Sequence, residues 1–161
     1  MRFLKVRPRS EHEVRQRLRS HRFGEDEISS AIRQAVDAGL IDDEVFTRLW
    51  IEDRILHSPR SRRAVERELL EKGIDRGLVV KSLAERYPES KEKELLWQLA
   101  RERFERLANL EREARERRTF GYLARRGFPP GQAKGIIRQL VSDGDNPAGH
   151  DNGDNGEACD G

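Results

Sequence analysis

The sequence holds one cysteine, Cys159, so it can build neither an internal disulfide framework nor a cysteine zinc cluster. Hydrophobic residues make up 35% and aromatics 6% of the chain, a low apolar share for a globular protein. No apolar run exceeds a few residues, which leaves no segment able to span a bilayer. The first ten residues carry Arg2, Lys5, Arg7 and Arg9 and lack the apolar stretch of a signal peptide. The phosphate-loop pattern G-x-x-x-x-G-K-[ST] is missing, and no serine or cysteine lies in a nucleophile-elbow context. His12, His21, His57 and His150 show no metal-type spacing. These absences point away from an enzyme: no catalytic, cofactor or metal residue is expected, and the chain reads as cytoplasmic.

Charge is plentiful instead. Charged residues make up 39% of the 161, with 32 basic against 30 acidic and a formal net charge of +2. Six of the acids (Asp143, Asp145, Asp151, Asp154, Glu157 and Asp160) lie in the last twenty residues, which have no Lys or Arg. With those set aside, 32 cations face 24 acids, so a body of about +8 precedes a tail of −6. Only six cations are lysines, and the other 26 are arginines, whose planar fork suits phosphate or carboxylate. A basic body suits a nucleic acid or an acidic protein. Residues 143–161 combine Gly, Asn, Asp and Pro without apolar periodicity and are expected to be disordered, with Cys159 incidental.

From Ser10 to Val141 nothing alternates with period two, and apolar residues recur at three and four, which predicts helix after helix. Ser10 with Glu13 has capping-box spacing ahead of Val14 and Leu18. A second helix from Glu25 places Ile28, Ile32 and Val36 on one face and stops at Gly39. Asp42 caps a third with Phe46, Leu49, Trp50 and Leu56, ending before Pro59. The pattern restarts at Ser58-Pro59, read as a cap followed by proline at the first helical position, with Val65 and Leu69 inside and Gly73 at the stop. Asp75 opens the next helix (Val79, Leu83), and a longer one from Ser90 carries Leu96, Ala100, Phe104 and Leu107. A last restart runs from Glu111 through Leu123 to Gly127, then a final helix with Ile136, Ile137 and Leu140.

The restarts form an internal repeat. Phe23, Ile74 and Phe128 are spaced 51 and 54 residues apart, each preceded five positions earlier by Leu18, Leu69 or Leu123 and followed nine later by Ile32, Leu83 or Ile137. Gly73 and Gly127 stand before two of them, but Arg22 before the first. Small helical units with this period predict an all-α, elongated array of tandem three-helix repeats. The units read as 1–57, 58–109 and a shortened 110–142, followed by the tail 143–161.

Three segments carry a family resemblance: Arg7-Pro8-Arg9-Ser10-x-x-Glu13-Val14, Gly39-Leu40-Ile41-Asp42-Asp43-x-x-Phe46, and Arg67-Glu68-Leu69-x-x-Lys72-Gly73-Ile74-Asp75. Together with Tyr122-Leu123-Ala124-Arg125-Arg126-Gly127-Phe128, their order and spacing resemble the RecX family over residues 3–141. The resemblance implies tandem three-helix repeats and a modulator of the RecA recombinase. Such a protein binds the RecA–single-stranded DNA filament and inhibits its ATPase, strand exchange and co-protease activities in recombination, repair and the SOS response. Family members usually have more helix before the first signature, so the first helix here is read as clipped, and the third repeat as lacking its third helix. A monomeric state when free, no cofactor and no membrane partner complete the expectation, with single-stranded DNA as a further partner.

The residues expected to meet the filament or DNA are the exposed cations Arg60, Arg62, Arg63, Arg67 and Lys72 of the second repeat and Arg117, Arg118, Arg125 and Arg126 of the third. Positive charge at a helix N-terminus opposes the dipole, so the set near Arg60 is not explained by helix stability. Asp42-Asp43 reads as a helix cap rather than a catalytic pair, and Trp50 and Trp97 as packing residues rather than base-stacking platforms. The alternative function is direct DNA binding through phosphate contacts.

Overall fold

The computed structural model describes residues 9–145, and every regular element among them is an α-helix. The helices are α1 (Glu11–Ser20), α2 (Glu25–Asp37), α3 (Asp43–Leu56), α4 (Arg62–Glu71), α5 (Arg76–Arg86), α6 (Glu89–Glu105), α7 (Arg112–Arg125) and α8 (Pro130–Asp145). α8 runs through Asp145, past the tail boundary read from composition, and residues 146–161 lie outside the described residues.

Capping follows sequence chemistry, with one shift. The side chains of Ser10, Asp42 and Asp75 accept from the backbone N–H groups of Glu13, Val45 and Leu78. At α4 the cap is Ser61, whose Oγ accepts from the Ala64 N–H, and Pro59 lies ahead of the helix rather than in its first turn. The reason is tertiary. Ser61 is wholly buried and bonded to a distant turn, a role Ser58 cannot take from three residues away.

The apolar packing draws the units one helix earlier than the restarts do. One core joins Phe46 and Ile51 of α3 to Val65 and Leu69 of α4 and to Ile74, Val79, Leu83 and Tyr87 of α5 and its flanks. A second joins Leu96, Leu99 and Ala100 of α6 to Leu123 of α7 and to Phe128, Ala133 and Ile137. A small third core holds Ile28, Ile32 and Ile41 with Val14 and Leu18. Extensive helix packing is thus confined to α1–α2, α3–α5 and α6–α8. The restarts at Ser58 and Glu111 are interruptions inside packed units, because a cap marks where a helix begins and says nothing of its neighbours.

The helix pair α1–α2 keeps less covered than its counterparts. Phe23 is 49% exposed, whereas the equivalent Ile74 and Phe128 are 3% and 2% exposed. Val36 is 45% exposed while its counterpart Tyr87 is fully buried. In the later units α3 and α6 pack over these positions. Phe23, a repeat position, and Val36, on the apolar face of α2, are thus left uncovered, and so are Leu49 and Leu56 of α3. Leu56, at 71% exposed, sits on the last turn of α3.

The units are joined by one motif used twice. The Ser10 hydroxyl, capping α1, donates to the Lys72 carbonyl at 2.7 Å, beside Gly73 at the end of α4. The Ser61 hydroxyl, capping α4, donates to the Gly127 carbonyl at 2.7 Å, at the end of α7. Both glycines are in the left-handed region, at φ 76° and 85°. A Cβ on Gly73 would stand 2.4 Å from His12 Cβ, and one on Gly127 2.8 Å from Ala64 Cβ. Arg22 holds the equivalent turn with φ 64° and is exposed, so nothing there demands a missing side chain.

Two outcomes test this packing. Gly39 has φ 65° but open space around its Cβ position, so Gly39→Ala should cost only the left-handed penalty of about 1–2 kcal/mol. Gly73→Ala and Gly127→Ala should each cost clearly more in urea denaturation, and equal losses at all three would refute tight docking. The Thr119 hydroxyl is buried without a hydrogen-bond partner where the sister positions are Val14 and Val65. Thr119→Val should therefore raise stability by about 1 kcal/mol, read as a higher denaturation midpoint.

Candidate interaction surface

Members of the two cationic sets, far apart in sequence, meet at the junction of α4 with α7. Arg60 Nη1 donates to the Arg125 carbonyl at 2.8 Å, and the Ser61 N–H donates to the Arg126 carbonyl at 3.0 Å. Beside these bonds lies a groove of about 380 Å³, with Arg63 and Arg67 on the α4 wall and the Phe128–Pro130 turn opposite. Arg63 is exposed, and Arg67 makes only a loose contact with Glu71 at 3.8 Å. Arg118 and Arg125 are likewise exposed.

Arg117 lies apart from this junction, and the remaining cations of the set are occupied internally. Arg60 precedes α4, lies 3.8 Å from Glu68, and its carbonyl accepts from the buried Tyr87 hydroxyl at 2.8 Å. Burial holds that phenol well above its usual pKa, with Glu92 pushing the same way, so Tyr87 stays a donor throughout the working range. Lys72 Nζ meets Glu13 at 2.6 Å across the first junction and sits 5.3 Å from the Trp50 ring centre. Arg126 lies 3.9 Å over the Tyr122 ring. Arg62 is half-buried, 3.9 Å from Glu89, and its backbone N–H donates to Glu92 Oε1 at 2.8 Å. The carboxylate that α4 lacks in its own first turn is thus supplied by α6, which answers the dipole conflict without a partner molecule.

Other candidates resolve into structure. Asp42 caps α3, and Asp43 Oδ1 accepts from the Glu11 N–H at 2.9 Å, tying α3 to the start of α1. Partial burial pushes the Asp43 carboxyl above its ordinary pKa despite that bond. Trp50 stacks on Phe46 at 5.5 Å, lies under Arg54 at 4.3 Å and donates to Glu68 at 3.0 Å, so its ring belongs to the core. Trp97 is half-buried on α6. Among the described residues, no group of His, Cys, Asp and Glu could hold a metal ion, and no helix is long and apolar enough to cross a membrane. Cys159 and His150 lie outside the described residues.

A second basic groove, of about 360 Å³, runs between α7 and α8, where Arg117 faces Lys134 and Arg138 above Phe120. Lys134 and Arg138 have no counterpart in the sequence reading. Their one signal is like charge at spacing four on α8, on a helix whose apolar face alone drew notice.

The two populations of cations separate in a stability assay. Lys72→Ala should lower stability by about 1 kcal/mol, because it takes a donor from the largely buried Glu13 carboxylate. Arg63→Ala and Arg118→Ala should stay within about 0.5 kcal/mol of the parent in thermal unfolding.

Comparison with known proteins accounts for the whole array. The family models for the first, second and third three-helix domains of RecX match residues 1–34, 42–83 and 91–137. The last two spans coincide with the packed groups α3–α5 and α6–α8. The chain is 35% identical to the regulatory protein RecX of Amycolatopsis mediterranei, over 84% of this chain and 77% of that one. It is 30% identical to that of Streptomyces coelicolor, over 89% and 76%. The crystal structure of RecX from Lactobacillus salivarius superposes with a TM-score of 0.69 at 24% identity, covering 88% of this chain and 91% of that one, and so shares the fold. With three domain models in order and relatives of this identity along most of their length, the chain belongs to the RecX family of regulatory proteins.

Proposed function

We propose that this protein binds the RecA–single-stranded DNA filament and modulates the recombinase, with inhibition of ATPase, strand exchange and co-protease activity as the expected sense. The observation that carries the reading is the junction groove. It sets the exposed Arg63 and Arg67 of α4 against the Phe128–Pro130 turn of the next unit, with Arg60 bonded across the same junction. An array of such units can lay this surface against successive subunits of a filament, where guanidinium groups meet carboxylates or phosphates in bidentate fashion. Family membership supplies RecA as the partner. The setting is recombination, repair and the SOS response in the cytoplasm, and the array acts by occupying and bridging, with no bond made or broken.

Direct action on DNA is the second reading, favoured by the unpaired cations between α7 and α8. The two readings separate in one assay. RecA filaments are preformed on single-stranded DNA, the protein is added well below the RecA concentration, and ATP hydrolysis is followed beside binding to bare DNA. A large change in hydrolysis at doses that scarcely bind bare DNA supports the regulator. Unchanged hydrolysis with clear binding to bare DNA supports the second reading. In the first case, reversing Arg63, Arg67 and Arg125 to Glu together should weaken the effect roughly tenfold or more while helicity holds.

A further inference from the structure

The groove between α7 and α8 gathers cations without compensation, unlike the arginines of α6 and the start of α7. On α6 and the start of α7, Arg101, Arg106 and Arg112 are each held by a Glu one turn away, at 2.8, 3.2 and 3.1 Å. Arg117, Lys134 and Arg138 form no ion pair among the described residues, although all three line one groove. The single acid there, Glu116, is already engaged with Arg112. Lys134 and Arg138 stand one turn apart on α8, a like-charge pair that a helix does not adopt for its own stability. Arg117 brings a third positive charge from the facing helix.

The groove has an apolar floor as well. Phe120 is only half-buried, its inner part packed on the core of α6–α8, and the Lys134 ammonium lies 6.0 Å from its ring centre. At about 360 Å³ the space is of the size that holds one nucleotide-scale ligand rather than a helix. Cations that follow a backbone around an exposed aromatic surface are the arrangement by which sequence-independent sites hold single strands. A carboxylate-rich peptide would satisfy the charge but leave the ring unused.

We infer that this groove is a phosphodiester site for single-stranded nucleic acid. Arg117, Lys134 and Arg138 hold the backbone, and one base lies against Phe120. The site is separate from the junction groove of Arg63 and Arg67. The inference rests on the proposed function for its setting, since it gives a filament-bound regulator its own hold on the DNA strand.

The test is anisotropy of a labelled oligo-dT strand titrated with the full chain at several salt concentrations. Replacing Arg117, Lys134 and Arg138 by Ala together should weaken binding strongly and lower the log–log salt slope by roughly 2, since each lost phosphate contact on a single strand removes about 0.7. Phe120→Leu, which keeps the core filled, should weaken binding while leaving the slope unchanged. Arg101→Ala with Arg106→Ala, from the compensated face, should change neither quantity. Unaltered affinity and slope in the triple variant overturn the site, and so does equal competition by a polyglutamate peptide of matched charge. The filament assay keeps the two proposals apart. If the parent chain alters RecA hydrolysis but the triple variant binds oligo-dT normally, the groove fails and the regulator stands. If the parent chain leaves hydrolysis unchanged but the triple variant loses the oligonucleotide, the groove stands and the regulator fails.

Discussion

The serine hydroxyl that caps one helix and donates to the terminal turn of another is the bond on which the array depends. Ser10 and Ser61 each do two tasks with one oxygen: they accept from their own helix and donate to a carbonyl more than sixty residues away. Both are wholly buried, so a lost bond would leave polar groups without water as well as without a partner. The glycines at the receiving turns follow from this bond. For the hydroxyl to reach the carbonyl, the turn must lie against the first residues of the neighbouring helix, and at that distance a Cβ has no room.

The same motif is missing from the α6–α8 unit. In the α6–α8 unit the position of Ser10 and Ser61 is taken by Arg115, which turns inward to donate to the Phe104 carbonyl at 2.7 Å and lies 3.5 Å over the Phe104 ring. Arg118 stands at the position where, in the preceding unit, Ala64 receives Gly127. At the other end, the turn at Arg22 makes no close approach and so tolerates a side chain at the same positive φ. Three sister turns with different residues thus report three different surroundings.

Docking through caps has a consequence for the surface. Because extensive packing is confined within units, the junctions are narrow and lined by helix ends, where arginines can reach out or fold back. Arg60 and Lys72 fold back onto carbonyl and carboxylate groups, while Arg63 and Arg67 remain outside.

Much of this was legible in the residues. The helices, most of their caps, the leucines at the sister positions and the family resemblance all depend on neighbours three or four positions away, or on the order of such segments along the chain. Periodicity also exposed the repeat that relates Leu18, Leu69 and Leu123. It did not show that Phe23 and Val36 lie uncovered, because burial depends on whether another helix packs over a face. Nor did it show that α3 belongs with α4 and α5, that Ser61 and not Ser58 is the cap, or that Glu92 neutralises the start of α4. The approximate extent of each helix and its apolar face follow from local sequence alone, since hydrogen bonding and side-chain spacing within a helix are local. Only the tertiary structure decided which arginines are free, because whether a guanidinium is spent on a distant carbonyl or left to solvent is settled by contacts that no local pattern records.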